Sequence, residues 1–227
     1  MIRILLSCIA ILSTIFYCVW EQNKANTIMK ENCIEIYLYE EQIPFNNCIK
    51  VTKMKDFNFK DYPTIDTSKA YFDTIKNIFT YASDFPLSKN KIKKNPIIKN
   101  NHIQKYDLIN NNLQLNYIED LKIRNHSEIY NLTQFVICVN KEPTFNGYFY
   151  TGFGARRCYS NFIYYFPYIS FLKQQKNKSL FPNKIVHKSK LEFLLNKETG
   201  SEFNKIDIKK DYPELYQAFK NSNRLIE

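Results

Sequence analysis

The chain has 227 residues, of which 44% are hydrophobic and 24% are charged, and its formal net charge is +10. A basic chain can bind nucleic acid, but no zinc finger, RNP-like sequence or helical basic stripe is present, which excludes nucleic acid as the expected partner. The charge would suit an anionic lipid, a cell-wall polymer or an acidic protein. Because Lys far outnumbers Arg, and Asn, Ile, Tyr and Phe are abundant, as an AT-rich genome encodes, the charge is also consistent with an ordinary solvated surface.

The N-terminal segment, residues 1–27, has the composition of an export signal. One basic residue precedes a predominantly apolar stretch over residues 4–20, which is the layout of a secretory signal peptide or an N-terminal membrane anchor. Small residues are missing at the usual cleavage positions, and this favours an uncleaved anchor over a cleaved signal. A lipid attached at Cys8 or Cys18 is a third alternative, although neither cysteine fits the lipoprotein pattern fully. We therefore expect a periplasmic or extracellular protein that folds over residues 28–227 and is either secreted or held at a membrane.

The first half of the exported part is expected to contain two strands, a helix and a loop. Residues 33–39 alternate apolar and polar side chains, as in a half-buried strand, and residues 49–52 repeat the pattern. A helix capped by Thr or Ser is expected over residues 67–82, because its apolar residues fall on one face. Residues 83–112 are rich in Asn and Lys and are broken by prolines, so they predict a basic surface loop or insertion. A basic arm that contacts a membrane or a partner is the functional alternative for this loop.

The second half is expected to be richer in strands. Short strands fit residues 113–118 and 121–123, and residues 135–139 are apolar on both faces, as in a central strand. Two short helices are expected to close the chain, over residues 190–196 and from Pro213 onwards, where the proline suits the first turn.

Asn146-Gly147 is the strongest turn signal in the chain, since a type I′ turn needs positive φ at both central residues. It predicts a hairpin that joins residues 135–145 to residues 148–159. Together these elements predict an α+β fold, with a mostly antiparallel sheet and a few short helices in a single disulfide-stabilised domain behind the N-terminal apolar segment.

The cysteine count indicates disulfide bonds. Six cysteines are present, and the four outside the apolar segment are Cys33, Cys48, Cys138 and Cys158. An even number in an oxidising compartment suggests two disulfides, each of which typically stabilises a fold by about 2–4 kcal/mol. Neither pairing of sequence neighbours closes cleanly on the expected strands, so all three connectivities stay open. Four buried free thiols are the alternative.

Two adjoining segments contain the candidate binding residues. Residues 151–158 hold two of the four glycines and the adjacent Arg156 and Arg157, whose forked donors could hold phosphate or carboxylate. The phosphate-loop and dinucleotide patterns are not met. The aromatic-rich stretch that follows includes Tyr164 and Tyr165, which suit either a sheet core or a binding face. We assign partner binding to these two arginines and two tyrosines, with purely structural roles as the simpler alternative.

Catalytic signatures are missing from the sequence. There is no nucleophile-elbow motif, and His102, His126 and His187 are far apart and lack the spacing of a zinc site, so neither a metal nor a cofactor is predicted. A nucleophilic Cys158 would be lost by the expected oxidation. The sequence therefore predicts a non-enzymatic envelope protein that binds a protein partner, such as a periplasmic immunity or inhibitor protein that neutralises an exported toxin or hydrolase. The alternatives are an envelope component that binds anionic lipid or glycan, and an unrecognised hydrolase.

Overall fold

A computed structural model describes residues 32–55, 58, 63–151, 158–165, 191–196 and 203–227. The chain divides into two units, Met1–Asn32 and Cys33–Glu227, and the described residues lie almost entirely in the second. The apolar stretch over residues 4–20, with its predicted role as signal or anchor, lies outside the described residues. Within the described ranges, no helix combines the length and the hydropathy needed to cross a bilayer.

Short strands dominate the described residues. In chain order they are β1 (Ile34–Leu38), β2 (Cys48–Lys50), β3 (Tyr71–Asp73), β4 (Ile78–Thr80), β5 (Ala82–Ser83), β6 (Ile103–Asp107), β7 (Asn112–Leu115), β8 (Thr133–Val139), β9 (Glu142–Tyr150), β10 (Cys158–Tyr159), β11 (Asn161–Tyr164), β12 (Leu191–Asn196), β13 (Phe203–Lys205) and β14 (Leu225–Ile226). The α-helices are α1 (Tyr117–Arg124), α2 (Ile208–Asp211) and α3 (Pro213–Asn221), and single 3-10 turns occur at Val51–Lys53 and Asn100–His102. The expected sheet-rich α+β class with a few short helices is therefore confirmed.

Nine of these strands form one mixed sheet, in the order β1-β8-β9-β11-β12-β7-β6-β14, with β13 alongside β12. Strands β2, β3 and β4 form a small antiparallel sheet, and β10 pairs in parallel with β5. Most strand pairs are antiparallel, as predicted. Within the large sheet, β11 runs parallel to β9 and β14 runs parallel to β6.

One face of the large sheet packs against the C-terminal helix. Phe135 and Ile137 of β8 and Phe145 of β9 belong to a core cluster that also contains Leu215 and Phe219 of α3. Helix α3 begins with Pro213 in its first turn, as predicted. Its buried side chains recur every three or four residues, and this spacing directs them all towards the sheet.

The opposite face of the large sheet carries a second core cluster. It includes Val136 and Cys138 of β8 and Tyr148 of β9, together with Phe45 and Phe85 from segments outside the sheet. Successive residues of β8 point to opposite faces of the sheet. Because a core cluster covers each face, the side chains on both faces of β8 are buried. The prediction that residues 135–139 form a strand apolar on both faces is confirmed.

The basic segment after β5 covers the edge of the large sheet that β1 forms, through contacts of residues 92–98. Ile98 bridges Ile36, Ile92 bridges Tyr39, and the Lys93 N–H donates a 2.9 Å hydrogen bond to the carbonyl of Leu38. An uncovered edge strand would leave these backbone groups unpaired and prone to intermolecular pairing.

The loop predicted over residues 83–112 is too long, because its last ten residues include strand structure. Residues 103–107 form β6, and residue 112 begins β7, where the sequence predicted loop throughout. The pairing of β6 with β7 forms the strands, and the hairpin turn between them contains Asn111 at φ 57°. The composition of these two strands resembles that of the polar residues before them, so composition alone did not indicate where the strands begin.

The helix predicted over residues 67–82 is wrong, because this segment forms the β3-β4 hairpin. Tyr71 pairs with Thr80 and Asp73 pairs with Ile78. The Asp73 carboxylate accepts the N–H groups of Ile75 at 3.0 Å and Lys76 at 2.9 Å, and Asn77 adopts a positive φ of 55°. These local bonds stabilise a turn in competition with a helix, and the apolar spacing of a short segment fits either structure.

The predicted turn at Asn146-Gly147 is also wrong, because both residues lie inside β9. The hairpin turn lies at Asn140 and Lys141, whose φ values of 53° and 70° are those that a type I′ turn requires. Gly147 has another role. A Cβ built there would lie 2.5 Å from the backbone oxygen of Asn161, so the glycine permits the close approach of β11 to β9.

Two further segments exchange their expected structures. Residues 121–123 belong to helix α1, whose first turn is capped by the Asn116 side chain accepting the Glu119 N–H at 2.9 Å. Residues 190–196 were predicted as a helix, but β12 occupies Leu191–Asn196 within this range and pairs with β11 and β13. A seven-residue helix has little stability of its own, so pairing with the neighbouring strands β7, β11 and β13 prevails.

Candidate functional site

The residues assigned to partner binding are only partly described. Arg156 and Arg157 lie outside the described residues. Tyr164 is half-buried at the end of β11, with its ring centroid 6.2 Å from that of Tyr150. Tyr165 is 1% exposed and packs in the core, where its hydroxyl donates a 3.3 Å hydrogen bond to a backbone carbonyl. Its side chain therefore contributes to packing rather than to the surface, and a binding role for Tyr164 stays a prediction.

The four cysteines outside the apolar segment are free thiols in the structure. Cys138 and Cys158 belong to the second core cluster, Cys48 packs against it, and Cys33 precedes β1. Burial raises the pKa of Cys138 to about 11 and raises the pKa of Cys158 still further. Thiols of this kind stay protonated at neutral pH and are weak nucleophiles. The two disulfides stay a prediction.

Ion pairs hold part of the basic segment that covers β1. Three of its lysines pair with glutamates from other parts of the chain: Lys89 with Glu142 at 2.6 Å, Lys91 with Glu41 at 3.3 Å and Lys93 with Glu128 at 2.5 Å. Exposed pairs of this kind contribute little stability. They do reduce the positive charge that this segment presents to an anionic surface.

A cleft of about 310 Å³ lies between the small sheet, the residues after β1 and the start of β8. Four tyrosines and two lysines contribute to its lining: Tyr39, Tyr71, Tyr81, Tyr130, Lys50 and Lys69. Carboxylates, amides and hydroxyls supply most of the remainder. We call this feature the tyrosine-lined cleft. Its volume is at the lower end of the range for ligand sites, which suits a few side chains of a bound segment.

The tyrosines of the cleft combine a fixed surface with an exposed one. Tyr71 packs its ring on Phe45, with centroids 4.5 Å apart, and the Tyr81 hydroxyl accepts a backbone N–H at 2.8 Å. Tyr39 is buried, and burial raises its pKa to about 12. Tyr130 is 67% exposed. A large ring with a polar tip beside rings that are already held in place is typical of surfaces that bind other molecules.

A buried amide fixes the floor of the cleft. Gln134 accepts the Ile43 N–H at 2.6 Å and donates to the Ile43 carbonyl at 3.0 Å, so that β8 holds the segment after β1 by both backbone groups. Tyr148 lies next to this amide and donates to the Ser83 carbonyl at 2.7 Å. A buried network in which each of these groups is bonded makes the floor rigid.

The cleft wall contains a strained residue. Leu132 adopts a φ of 69°, a conformation that a bulky side chain rarely occupies and that costs on the order of 1–3 kcal/mol. Its N–H donates to the Phe149 carbonyl at 2.7 Å, and the neighbouring Asn131 side chain accepts the Thr151 N–H at 3.1 Å. These two hydrogen bonds hold Leu132 in its strained conformation. Strain of this kind clusters at functional sites, and its position supports the cleft as the candidate site.

Groups that often act in catalysis lie close to one another on and beside α1. His102 Nδ1 lies 3.2 Å from one carboxylate oxygen of Glu119, and Lys122 Nζ lies 2.6 Å from the other. The Arg124 Nε lies 2.9 Å from the Asp120 carboxylate. In the part of the chain that the structure describes, no three His, Cys, Asp or Glu side chains are grouped as metal ligands would be.

The tyrosine-lined cleft was not predicted from the sequence. Lys50, Tyr71 and Tyr130 lie far apart in the chain, and Tyr71 was assigned to a helix face. The one available signal was the abundance of tyrosine, with 17 residues in the chain, but this count does not show which of them meet.

Comparison with protein-family models, with curated proteins and with solved structures found no match.

Proposed function

We propose that the chain is an exported, non-enzymatic binding protein of the cell envelope that recognises a protein partner through the tyrosine-lined cleft. The proposed role is that of a periplasmic immunity or inhibitor protein, which neutralises an exported toxin or hydrolase by binding it. Export, and association with a membrane where the segment is retained, rest on the apolar residues 4–20. The observation that carries the recognition is the cleft.

The cleft has the features that an anchor site for a partner side chain needs. Its floor is held by the two hydrogen bonds between Gln134 and Ile43, so little ordering is left to occur on binding. Tyr130 adds an exposed aromatic side chain to the lining, and tyrosine is enriched among the residues that dominate binding energy at interfaces.

The state of the reactive groups supports binding rather than catalysis. Burial raises the pKa of Cys138 and of Cys158, which disfavours their thiolates at neutral pH. The carboxylates of Glu119 and Asp120 are each paired with a cation at 2.6 and 2.9 Å. These residues therefore act in packing and ion pairing, and the proposal gives none of them a catalytic role.

Disulfide stabilisation of the exported form belongs to the same proposal. Its support is the even number of cysteines outside the apolar segment in a chain with an export signal. The test is the intact mass of the protein from an oxidising compartment, after alkylation under denaturing conditions without a reductant. Two bridges predict that Cys33, Cys48, Cys138 and Cys158 all escape alkylation until a reductant is added. Complete alkylation before reduction contradicts the bridges and leaves the four thiols of the structure.

Partner recognition is tested by affinity capture from the native envelope extract. Tagged protein comprising residues 28–227 is compared with Tyr130→Ala, which removes the exposed ring of the cleft, and with Tyr117→Ala as the matched control. Tyr117 on α1 is 65% exposed and lies outside the cleft lining. We expect one stoichiometric protein to be captured by the unmodified chain and by the control. The Tyr130 variant should bind it at least about tenfold more weakly, since truncating a central aromatic typically costs more than 1 kcal/mol.

Two results would contradict this proposal. Equal capture by both variants would show that the cleft does not contact the partner. Recovery of lipid or glycan alone, lost as the salt concentration rises, would instead support the envelope-component alternative, because exposed charges are screened over about 10 Å at 0.1 M salt.

A further inference from the structure

Lys50 is one of two lysines in the lining of the tyrosine-lined cleft. It ends β2, lines the cleft and is half-buried, and it lies directly opposite Tyr71 in the register of the small sheet. Lys69, the other lysine of the lining, has an ion pair with Asp66 at 3.9 Å. The Lys50 ammonium has no ion pair or hydrogen bond to any residue that the structure describes.

The Lys50 ammonium lines the cleft without an ion pair to a described residue, so it can accept an anionic partner there. An anionic group that enters the cleft can form a charge-assisted hydrogen bond with it, which is roughly twice as strong as a neutral one. The rings of Tyr71 and Tyr130, which line the same cleft, add contact surface and hydroxyl donors. The formal net charge of +10 steers acidic partners towards the chain.

The remaining carboxylates of the lining limit how much negative charge can enter. Glu41 is paired with Lys91 at 3.3 Å, whereas Glu40 is exposed. Glu40 repels a second anionic group, so the lining favours one acidic side chain flanked by uncharged residues over a run of acidic residues.

We propose that the tyrosine-lined cleft binds an acidic side chain of the partner protein, with its carboxylate on the Lys50 ammonium. This inference rests on the proposed function, because it names the chemistry of the segment that the cleft receives. It assigns Lys50 as the residue that selects the charge, and Tyr130 as a residue that adds affinity whatever the charge of the ligand.

The test uses two short peptides that differ only in charge, acetyl-Gly-Glu-Gly-amide and acetyl-Gly-Gln-Gly-amide. Binding is followed by NMR through the backbone amide signals of Lys50 and Tyr71 during titration. We expect the glutamate peptide to bind about tenfold more tightly than the glutamine peptide, as one charge-assisted hydrogen bond predicts. Lys50→Gln should remove this preference, and Lys50→Arg should retain it.

The matched control is Lys53→Gln, which removes an exposed lysine three residues away that does not line the cleft. It should change the affinity for the glutamate peptide less than twofold. The amide spectra of all variants report whether they fold like the unmodified chain. Equal binding of both peptides, no binding of the glutamate peptide, or an undiminished preference in Lys50→Gln would each overturn the proposal.

Capture of the native partner separates failure of this inference from failure of the proposed function. If Tyr130→Ala loses the partner and Lys50→Gln keeps it, the cleft recognises the partner but not through a carboxylate. If both variants keep the partner, the cleft is not the recognition site, and the proposed function fails as well.

Discussion

Gly147 gives the sharpest prediction about the fold, because its role in the structure differs from the one that its sequence neighbours suggest. Substitution by alanine would place a Cβ 2.5 Å from the backbone oxygen and 2.9 Å from the carbonyl carbon of Asn161. Both contacts are with backbone, so no side chain can turn away to relieve them. Strand β11 would have to move until the shorter distance exceeds 3.0 Å.

The size of the effect follows from what holds β11 in place. It pairs with β9 on one side and with β12 on the other, and the Asn161 side chain donates to the Asn146 carbonyl at 3.2 Å and to the Tyr212 hydroxyl at 2.6 Å. Overpacking of this kind typically costs about 1–3 kcal/mol. The reduced entropy of the unfolded chain returns about 0.4–1 kcal/mol. We expect a net loss of about 1–2 kcal/mol, which lowers Tm by about 2–8 °C for a chain of this size.

Urea unfolding followed by circular dichroism measures the loss, and amide hydrogen exchange shows where it acts. Exchange should become faster in β11, for example at Phe162 and Ile163. Thr144→Ala on the same strand is the control, because it adds no atoms; it should cost less than about 1 kcal/mol. A Gly147→Ala protein as stable as the unmodified chain would refute the close approach of β11 to β9. Lost stability with unchanged exchange in β11 would refute it as well.

Three further changes test the turn, a buried charge and a buried thiol. Lys141→Gly should raise the free energy of unfolding by about 0.5 kcal/mol, seen as a higher urea midpoint, because glycine accepts the φ of 70° without strain; a lower midpoint would contradict the type I′ turn. Arg224→Lys should lower the free energy of unfolding by about 1–3 kcal/mol, because lysine cannot reproduce the forked hydrogen bonds to the Asn100 carbonyl at 3.0 Å and to the Asn100 side-chain oxygen at 2.8 Å. An unchanged urea midpoint would show that these bonds contribute nothing to stability. In the reduced protein, the pKa of the Cys138 thiol rises from its ordinary 9.0 to about 11 on burial. Between these values the unfolded chain loses a proton that the folded chain keeps, so the free energy of unfolding should fall by up to about 2 kcal/mol as the pH rises to 11. Urea titrations of Cys138→Ala over the same pH range should show a smaller fall. An equal fall in that variant would assign the effect to other groups.

Local pattern alone determined the elements whose side chains face a core in a regular period. The alternation over residues 33–39 predicted β1, the apolar run over residues 135–139 predicted β8, and the proline with its following apolar residues predicted α3. In each case burial and periodicity indicate the same structure, so tertiary contacts did not override the local preference. The α+β class and the mostly antiparallel pairing follow from these elements.

Only the tertiary structure decided the segments in which two local structures compete. Residues 67–82 have a spacing that fits a helix or a hairpin, and the hydrogen bonds of the Asp73 carboxylate and the pairing with β2 select the hairpin. Asn146-Gly147 fits a turn, but the approach of Asn161 requires a glycine within a strand.

The tyrosine-lined cleft is a tertiary feature throughout. Lys50, Tyr71 and Tyr130 come from three separate segments that meet because the small sheet packs beside the start of β8. Periodicity describes what each segment buries, but not which exposed side chains from distant segments become neighbours. The site therefore became visible only once these contacts were known.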